Sequence, residues 1–256
     1  MPPRARTTPG ATACALLLAL VAGCTSDAGA VREPGTAVTQ DEAEALARLL
    51  QRNYQRGGAD FVVTAPYGSD VVLTLTGEVD FRRSQGRAEL VTSYGDDRPD
   101  DTAAVRFSTD DVWIGDVPGL SDALQDAGAT DATYLRRPLD ADGRAELVDV
   151  LVHVVLGLSR ARADDPRAFL DGDWTWQGQR SIDSRLSAVF GDDDGATVAV
   201  GAADDLLLQY ATPLPGHAFE VTVTLADHGP VSVPLPTAAE SADVAEHPEL
   251  AGMVGF

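Results

Sequence analysis

From Asp70 to Phe81 the chain alternates with a period of two. Val71, Leu73, Leu75, Gly77, Val79 and Phe81 point one way, and Val72, Thr74, Thr76, Glu78 and Asp80 the other. Successive side chains of a strand leave opposite faces of the backbone, so this run predicts a long strand buried on one side only. A strand of that kind needs neighbours and an apolar cover, which restricts the chain to sheet-containing folds with one face packed. The turn at Ser84-Gln85-Gly86 leads back into Arg87–Tyr94, where Ala88, Leu90 and Tyr94 share the buried face. Strands over Ala103–Ser108 and Asp111–Gly115 follow across polar turns. The turns are too short for crossovers, so the group reads as an antiparallel meander.

Two helices are expected to supply the cover. Thr39 or Asp41 caps the first, which runs to about Arg56 with Ala43, Leu46, Leu50 and Tyr54 on one face, and Gly57-Gly58 stops it. Asp140 opens the second, roughly Gly143 to Ala163, where Leu147, Val148, Leu151, Val154, Val155 and Leu158 cover more than half the circumference. A helix this apolar is buried, or lines a greasy cavity. Asp164-Asp165-Pro166 ends it. Between the two, Gly119–Leu139 is ambiguous, with a short helix around Ser121–Ala127.

The second half is β again, over Leu186–Phe190, Thr197–Val200, Leu206–Ala211 and Phe219–Leu225. Asp227-His228-Gly229 is expected to turn the last of these into a further strand, Val231–Leu235, ended by Pro236. The remainder to Phe256 is an acidic tail.

The N-terminus sets the compartment. Arg4 and Arg6 precede an apolar run, Ala13 to Val21, too short to span a bilayer as a helix, and small residues follow it. The order Val21-Ala22-Gly23-Cys24 resembles the lipobox of bacterial lipoprotein signals. That resemblance implies cleavage before Cys24 and a fatty-acyl (palmitate) anchor on its thiol, so residues 1–23 are a signal peptide. Residues 24–40, interrupted by Pro34-Gly35, read as a flexible tether. Residues 41–236 read as one domain, and 237–256 as the tail.

Charge excludes several partners. The formal net charge is −21, and loss of Arg4 and Arg6 with the signal makes the rest two units more negative. All basic residues are Arg. Nucleic acid is therefore no partner, and an anionic membrane repels the domain, so the lipid must hold it at the outer face of the plasma membrane. The two cysteines, Cys14 and Cys24, both go to the signal and the anchor, leaving no disulfide and no cysteine metal site.

No catalytic constellation stands out. Gly-x-Ser-x-Gly, His-Glu-x-x-His and phosphate-cradling glycine loops are missing from the sequence. His153, His217, His228 and His247 lack metal-ligand spacing. His153 reads as a core histidine and His228 as a solvated turn residue. Asp140-Ala141-Asp142-Gly143 with Glu146 is only faintly like a calcium loop, because a helix begins too early, and Asp192-Asp193-Asp194-Gly195 reads as a turn. Arg136-Arg137 reads as local ion pairing, with a phosphate head group as the alternative partner, and Trp174-Thr175-Trp176 reads as core, with the edge of an apolar pocket as the alternative. The chain is read as no enzyme, with no metal and no cofactor.

The close from Val221 to Pro236, the Asp164–Leu170 stretch, and the order helix, meander, apolar helix, meander resemble actinobacterial envelope lipoproteins of the LppX/LprG (LolA-like) type. The resemblance implies an α+β fold: a curved antiparallel β half-barrel with helices packed on its concave face. It also implies an apolar cavity between sheet and helices that holds a lipid or glycolipid. The residues expected to line it are Val71, Leu73, Leu75, Phe81, Leu147, Leu151, Val155, Val221, Val223 and Leu225. A carrier of this kind needs a cavity above roughly 300 Å³. The alternative is an envelope interaction or sensing module whose core is filled and which contacts a protein through its acidic outer face.

Overall fold

The computed structural model describes residues 32–140, 146–214 and 218–253. The expected signal peptide and Cys24 lie outside the described residues, as do Asp142, Gly143 and His217.

Helix α1 (Gln40–Arg56) starts on a reciprocal cap. The Glu42 amide donates to the Thr39 hydroxyl, and the Glu42 carboxylate accepts from the Thr39 amide at 2.8 Å. It stops at Gly57, whose φ of 104° is costly for any residue with a Cβ. The chain passes at once into β2 (Gly58–Ala65), which buries Phe61, Val63 and Ala65 and exposes Asp60 and Val62. The meander follows as β3 (Val71–Asp80), β4 (Gln85–Tyr94), β5 (Asp101–Phe107) and β6 (Asp111–Gly115). Helix α2 (Leu120–Asp126) leads to β7 (Tyr134–Pro138).

Helices α3 (Leu147–Gly157) and α4 (Arg167–Leu170) separate the two halves. The second meander is β8 (Thr175–Ile182), β9 (Arg185–Gly191), β10 (Thr197–Gly201), β11 (Leu207–Pro213) and β12 (Glu220–Ala226). With a short β1 (Thr36–Ala37) and β13 (Ser241–Asp243), the thirteen strands among the described residues form one sheet, in the order β1-β8-β9-β10-β11-β12-β2-β3-β4-β5-β6-β7-β13. Every pairing is antiparallel except β13 with β7. The two meanders join where β12 lies against β2, with Val223 opposite Val63 and Leu225 opposite Phe61.

The architecture is the expected α+β half-barrel, an open curled sheet with helices on its inner face. Close approach of β3 and β4 at Gly77 helps the sheet curl: a Cβ there would lie 1.9 Å from the Arg87 carbonyl oxygen, so only glycine fits.

Several local expectations change. β2 and β7 are strands that periodicity missed. The apolar helix is shorter than expected. It begins after Glu146, and Asp140 is no cap; its amide donates instead to the Asp149 carboxylate at 3.3 Å. Beyond Gly157 the chain lies along α1, where the Arg160 and Asp164 amides donate to the carbonyls of Leu50 and Ala47. No strand forms over Val231–Leu235. β12 already has β11 on one side and β2 on the other, so a returning strand has no free edge. That segment becomes a strap, with Val233 buried and its carbonyl accepting from Gln85 at 2.7 Å.

Both ends of the domain also reach further than expected. In the stretch read as a tether, Thr36 pairs with Trp176 and Val38 is buried. In the stretch read as a tail, β13 pairs with β7, and Ala242 and Leu250 are buried.

Candidate functional site

The residues expected to line a central cavity instead fill the core. Leu73, Leu75, Phe81, Leu151, Val155, Val221, Val223 and Leu225 are each exposed by no more than 2 %, and belong to one continuous cluster. Leu147 packs half-buried against that cluster, and Val71 is half-buried at the start of β3. Helix α3 buries Val148, Leu151, Val152 and Val155 in that cluster. The structure thus brings nine of the ten residues into or against one core, and leaves Val71 at the start of β3 beside Asp70, Gly95 and Arg98.

A space does exist beside this core. An apolar cavity of about 340 Å³ lies among α1, α3, α4, β10 and β11. Leu46, Leu49 and Leu50 line one wall, Val154 and Leu158 another, and Phe169 and Trp174 a third. Phe169 and Trp174 pack ring to ring at 5.5 Å. His153 borders the cavity while its Nε2 lies 3.1 Å from the Asp140 carbonyl oxygen, and Arg160 and Asp164, paired at 2.8 Å, stand at its polar side. None of the ten expected lining residues touches it. The tryptophan pair divides: Trp174 borders this cavity, and Trp176 packs against the core.

A second, larger concavity is on the opposite face of the sheet. A trough of about 690 Å³ crosses β12, β2, β3, β4 and β5, and no helical residue lines it. Its carboxylates are Asp60, Glu78, Glu89, Asp116 and Asp183, and its guanidinium groups are Arg87 and Arg106. Asp116 follows β6, and Asp183 sits in the β8–β9 turn; both have positive φ. Arg87 is held by Glu78 at 2.8 Å, and Arg106 lies 5.9 Å from the centre of the Tyr134 ring. Burial raises the pKa of Asp60, and the neighbouring carboxylates Glu78 and Asp227 raise it further, against a smaller opposing effect of Arg87. Val62, 40 % exposed, stands among these groups. Sequence reasoning missed this trough because it weighed the inward faces of the strands, and because β12 and the β8–β9 turn, which complete the trough beside β2–β5, lie much further along the chain.

The two arginines before α3 form ion pairs, as expected. Arg136 binds Asp111 at 3.0 Å, and Arg137 binds Glu146 at 3.0 Å and Asp149 at 2.8 Å. His228 is not the solvated turn residue expected. Its ring nitrogens are shut off from solvent, and its pKa is lowered first by burial and then by Arg185.

No protein-family model matches the chain, and no curated protein matches it. Solved structures similar to it include the crystal structure of MucB, with a TM-score of 0.38, 16 % identity, and coverage of 80 % of this chain and 64 % of that one. Another is the Pseudomonas aeruginosa MucA/MucB complex, with a TM-score of 0.34, 16 % identity, and coverage of 80 % and 62 %. A third is MucB in complex with MucA(peri), with a TM-score of 0.33, 13 % identity, and coverage of 78 % and 60 %. The chain spans less than two thirds of the length of each.

Proposed function

We propose that the chain is a non-enzymatic binding module of a bacterial cell envelope. In this reading a lipid on Cys24 holds it at the outer face of the plasma membrane, and it works by contact with a protein partner. The observation that carries the reading is the filled core. Eight of the ten side chains expected to surround a ligand are closed against one another, at exposures of 0 to 2 %. The interior around these eight side chains is close-packed, which leaves, between α3 and the sheet, the cavity of about 340 Å³ beside Trp174. The surface left for recognition is the outer face, where the trough of about 690 Å³ lies.

Cross-linking in the producing cell, identification of the captured protein, and reconstitution of the pair from purified components test this reading. It expects a stoichiometric complex on size-exclusion chromatography that weakens as salt rises. Failure to reconstitute any pair at any ionic strength overturns it. The anchor has its own test: Cys24→Ser moves the protein from the membrane fraction to the soluble fraction, and unchanged membrane retention refutes lipidation.

One observation favours a second reading, closer to the LppX/LprG-type carrier. The cavity beside Trp174 is apolar and, at about 340 Å³, falls within the range of small-molecule sites. It would take a short apolar ligand or one end of an acyl chain. Native mass spectrometry of protein purified from its own host decides it: a retained lipid mass supports carriage, and bare protein overturns it.

A further inference from the structure

We propose that the trough across β12, β2, β3, β4 and β5 docks an extended arginine- or lysine-rich segment of the partner protein. This rests on the binding-module reading and specifies the partner's chemistry. Four of the five carboxylates in the trough, Asp60, Glu89, Asp116 and Asp183, make no ion pair among the described residues. Of the two guanidinium groups there, Arg87 is paired with Glu78 and Arg106 lies 5.9 Å from the centre of the Tyr134 ring, so the trough carries five carboxylates against two cations. The raised pKa of Asp60 fits the same picture, since a cation at that point would relieve the crowding of negative charge.

The shape selects among cations. Among the described residues no group of three His, Cys, Asp or Glu side chains could hold a metal ion. The unmatched carboxylates are spread from strand to strand, so their complement is a row of charges rather than one ion. Five adjacent strands span roughly 19 Å at about 4.8 Å spacing, and an extended peptide covers that width with about six residues. Val62 adds an apolar contact on β2, toward the β12 end of the trough. A peptide alternating cationic and apolar side chains matches both features. Nucleic acid, an anionic membrane and a second copy of this chain all carry the wrong charge.

Fluorescence anisotropy of a labelled peptide alternating Arg and Val, titrated with the full chain, tests the proposal. A peptide alternating Glu and Val is the control. Removing two trough charges, with Asp60→Asn and Glu89→Gln together, is expected to weaken binding of the Arg peptide about tenfold or more. Removing two charges from a distant turn, with Asp193→Asn and Asp194→Asn together, is expected to change it less than about twofold. Circular dichroism and the thermal midpoint establish that each variant is folded. Val62→Arg, which leaves every carboxylate in place and puts a cation into the trough, gives a second loss.

Equal weakening by both charge pairs means that net charge alone is at work and overturns the proposal. So does absence of Arg-peptide binding by the unmodified chain, or equal binding of the Glu peptide. A cross-linked partner that binds the trough variants as well as the unmodified chain sinks the trough but leaves the binding module standing. Absence of any partner sinks the module itself.

Discussion

Arg137 lies 2.8 Å from Asp149, joining β7 to the first turn of α3 at a point where the Asp149 side chain has no exposure to solvent and that of Arg137 only 13 %. Two ions removed from water are tolerable only together. Arg137→Ala is therefore expected to destabilise the fold by about 3–5 kcal/mol, because it leaves an uncompensated buried carboxylate. Replacing both partners, with Arg137→Met and Asp149→Leu, is expected to recover most of the loss. Urea unfolding of the three proteins measures this, and a double variant no better than Arg137→Ala refutes the account.

Gly157 closes α3 and borders the apolar cavity, and a Cβ built on it meets nothing within 4 Å. Its φ is not in the left-handed region. Gly157→Ala is expected to stabilise the protein by about 0.4–1 kcal/mol, mainly by restricting the unfolded chain. Thermal denaturation followed by circular dichroism reads the gain. Gly157→Leu pushes a side chain into the cavity itself, and it should abolish any lipid mass that native spectrometry finds on the unmodified protein.

Neutral His228 is favoured in the folded state. Burial, first, and then Arg185 lower its pKa; Asp204 and the Leu207 backbone oppose this more weakly, and Arg56 lowers it slightly. The unfolded chain takes up a proton near pH 6.5, while the folded chain resists until a lower pH. In that window the unfolded state binds more protons, so stability rises with pH and falls as pH drops below about 6.5. The difference in stability between the unmodified protein and His228→Gln should therefore shrink or reverse between about pH 7 and pH 5. Parallel denaturant titrations across that range check it, and a constant difference contradicts it.

What could be read from the residues depended on whether the signal was local. The Thr39 cap, the stop at Gly57, the alternation of β3 and the short β6 are each written within a few positions. β2 escaped because only Gly57 separates it from α1, leaving no turn to announce a change of period. β7 escaped because two adjacent arginines and a closing proline do not look like a strand. Its neighbours Asp111 and Asp149, distant in sequence, are what make Arg136 and Arg137 acceptable there. The misread strand at Val231–Leu235 has the right alternation, but edge availability belongs to the whole sheet. Cavity against filled core is of the same kind. The identities of Leu151 and Val223 make both compatible with the pattern, and only their meeting decides between them.

Asp60 provides the last test, because it separates stability from binding. Its raised pKa, due first to burial and then to Glu78 and Asp227, means that the folded state disfavours its charged form. Above the ordinary aspartate range the unfolded chain ionises first, so this carboxylate lowers stability as pH rises through its folded pKa and keeps it lowered at neutral pH. Asp60→Asn is therefore expected to raise the thermal midpoint at pH 7 and to leave it nearly unchanged at pH 3, where the carboxyl is protonated in both states. The same substitution should weaken the complex with an arginine-rich peptide, since one of the unmatched charges of the trough is gone. A site kept for recognition retains charge that the fold alone would discard. A variant with a higher midpoint and weaker peptide binding is the signature of that trade. A variant with a lower midpoint at pH 7 shows that Asp60 serves the fold instead.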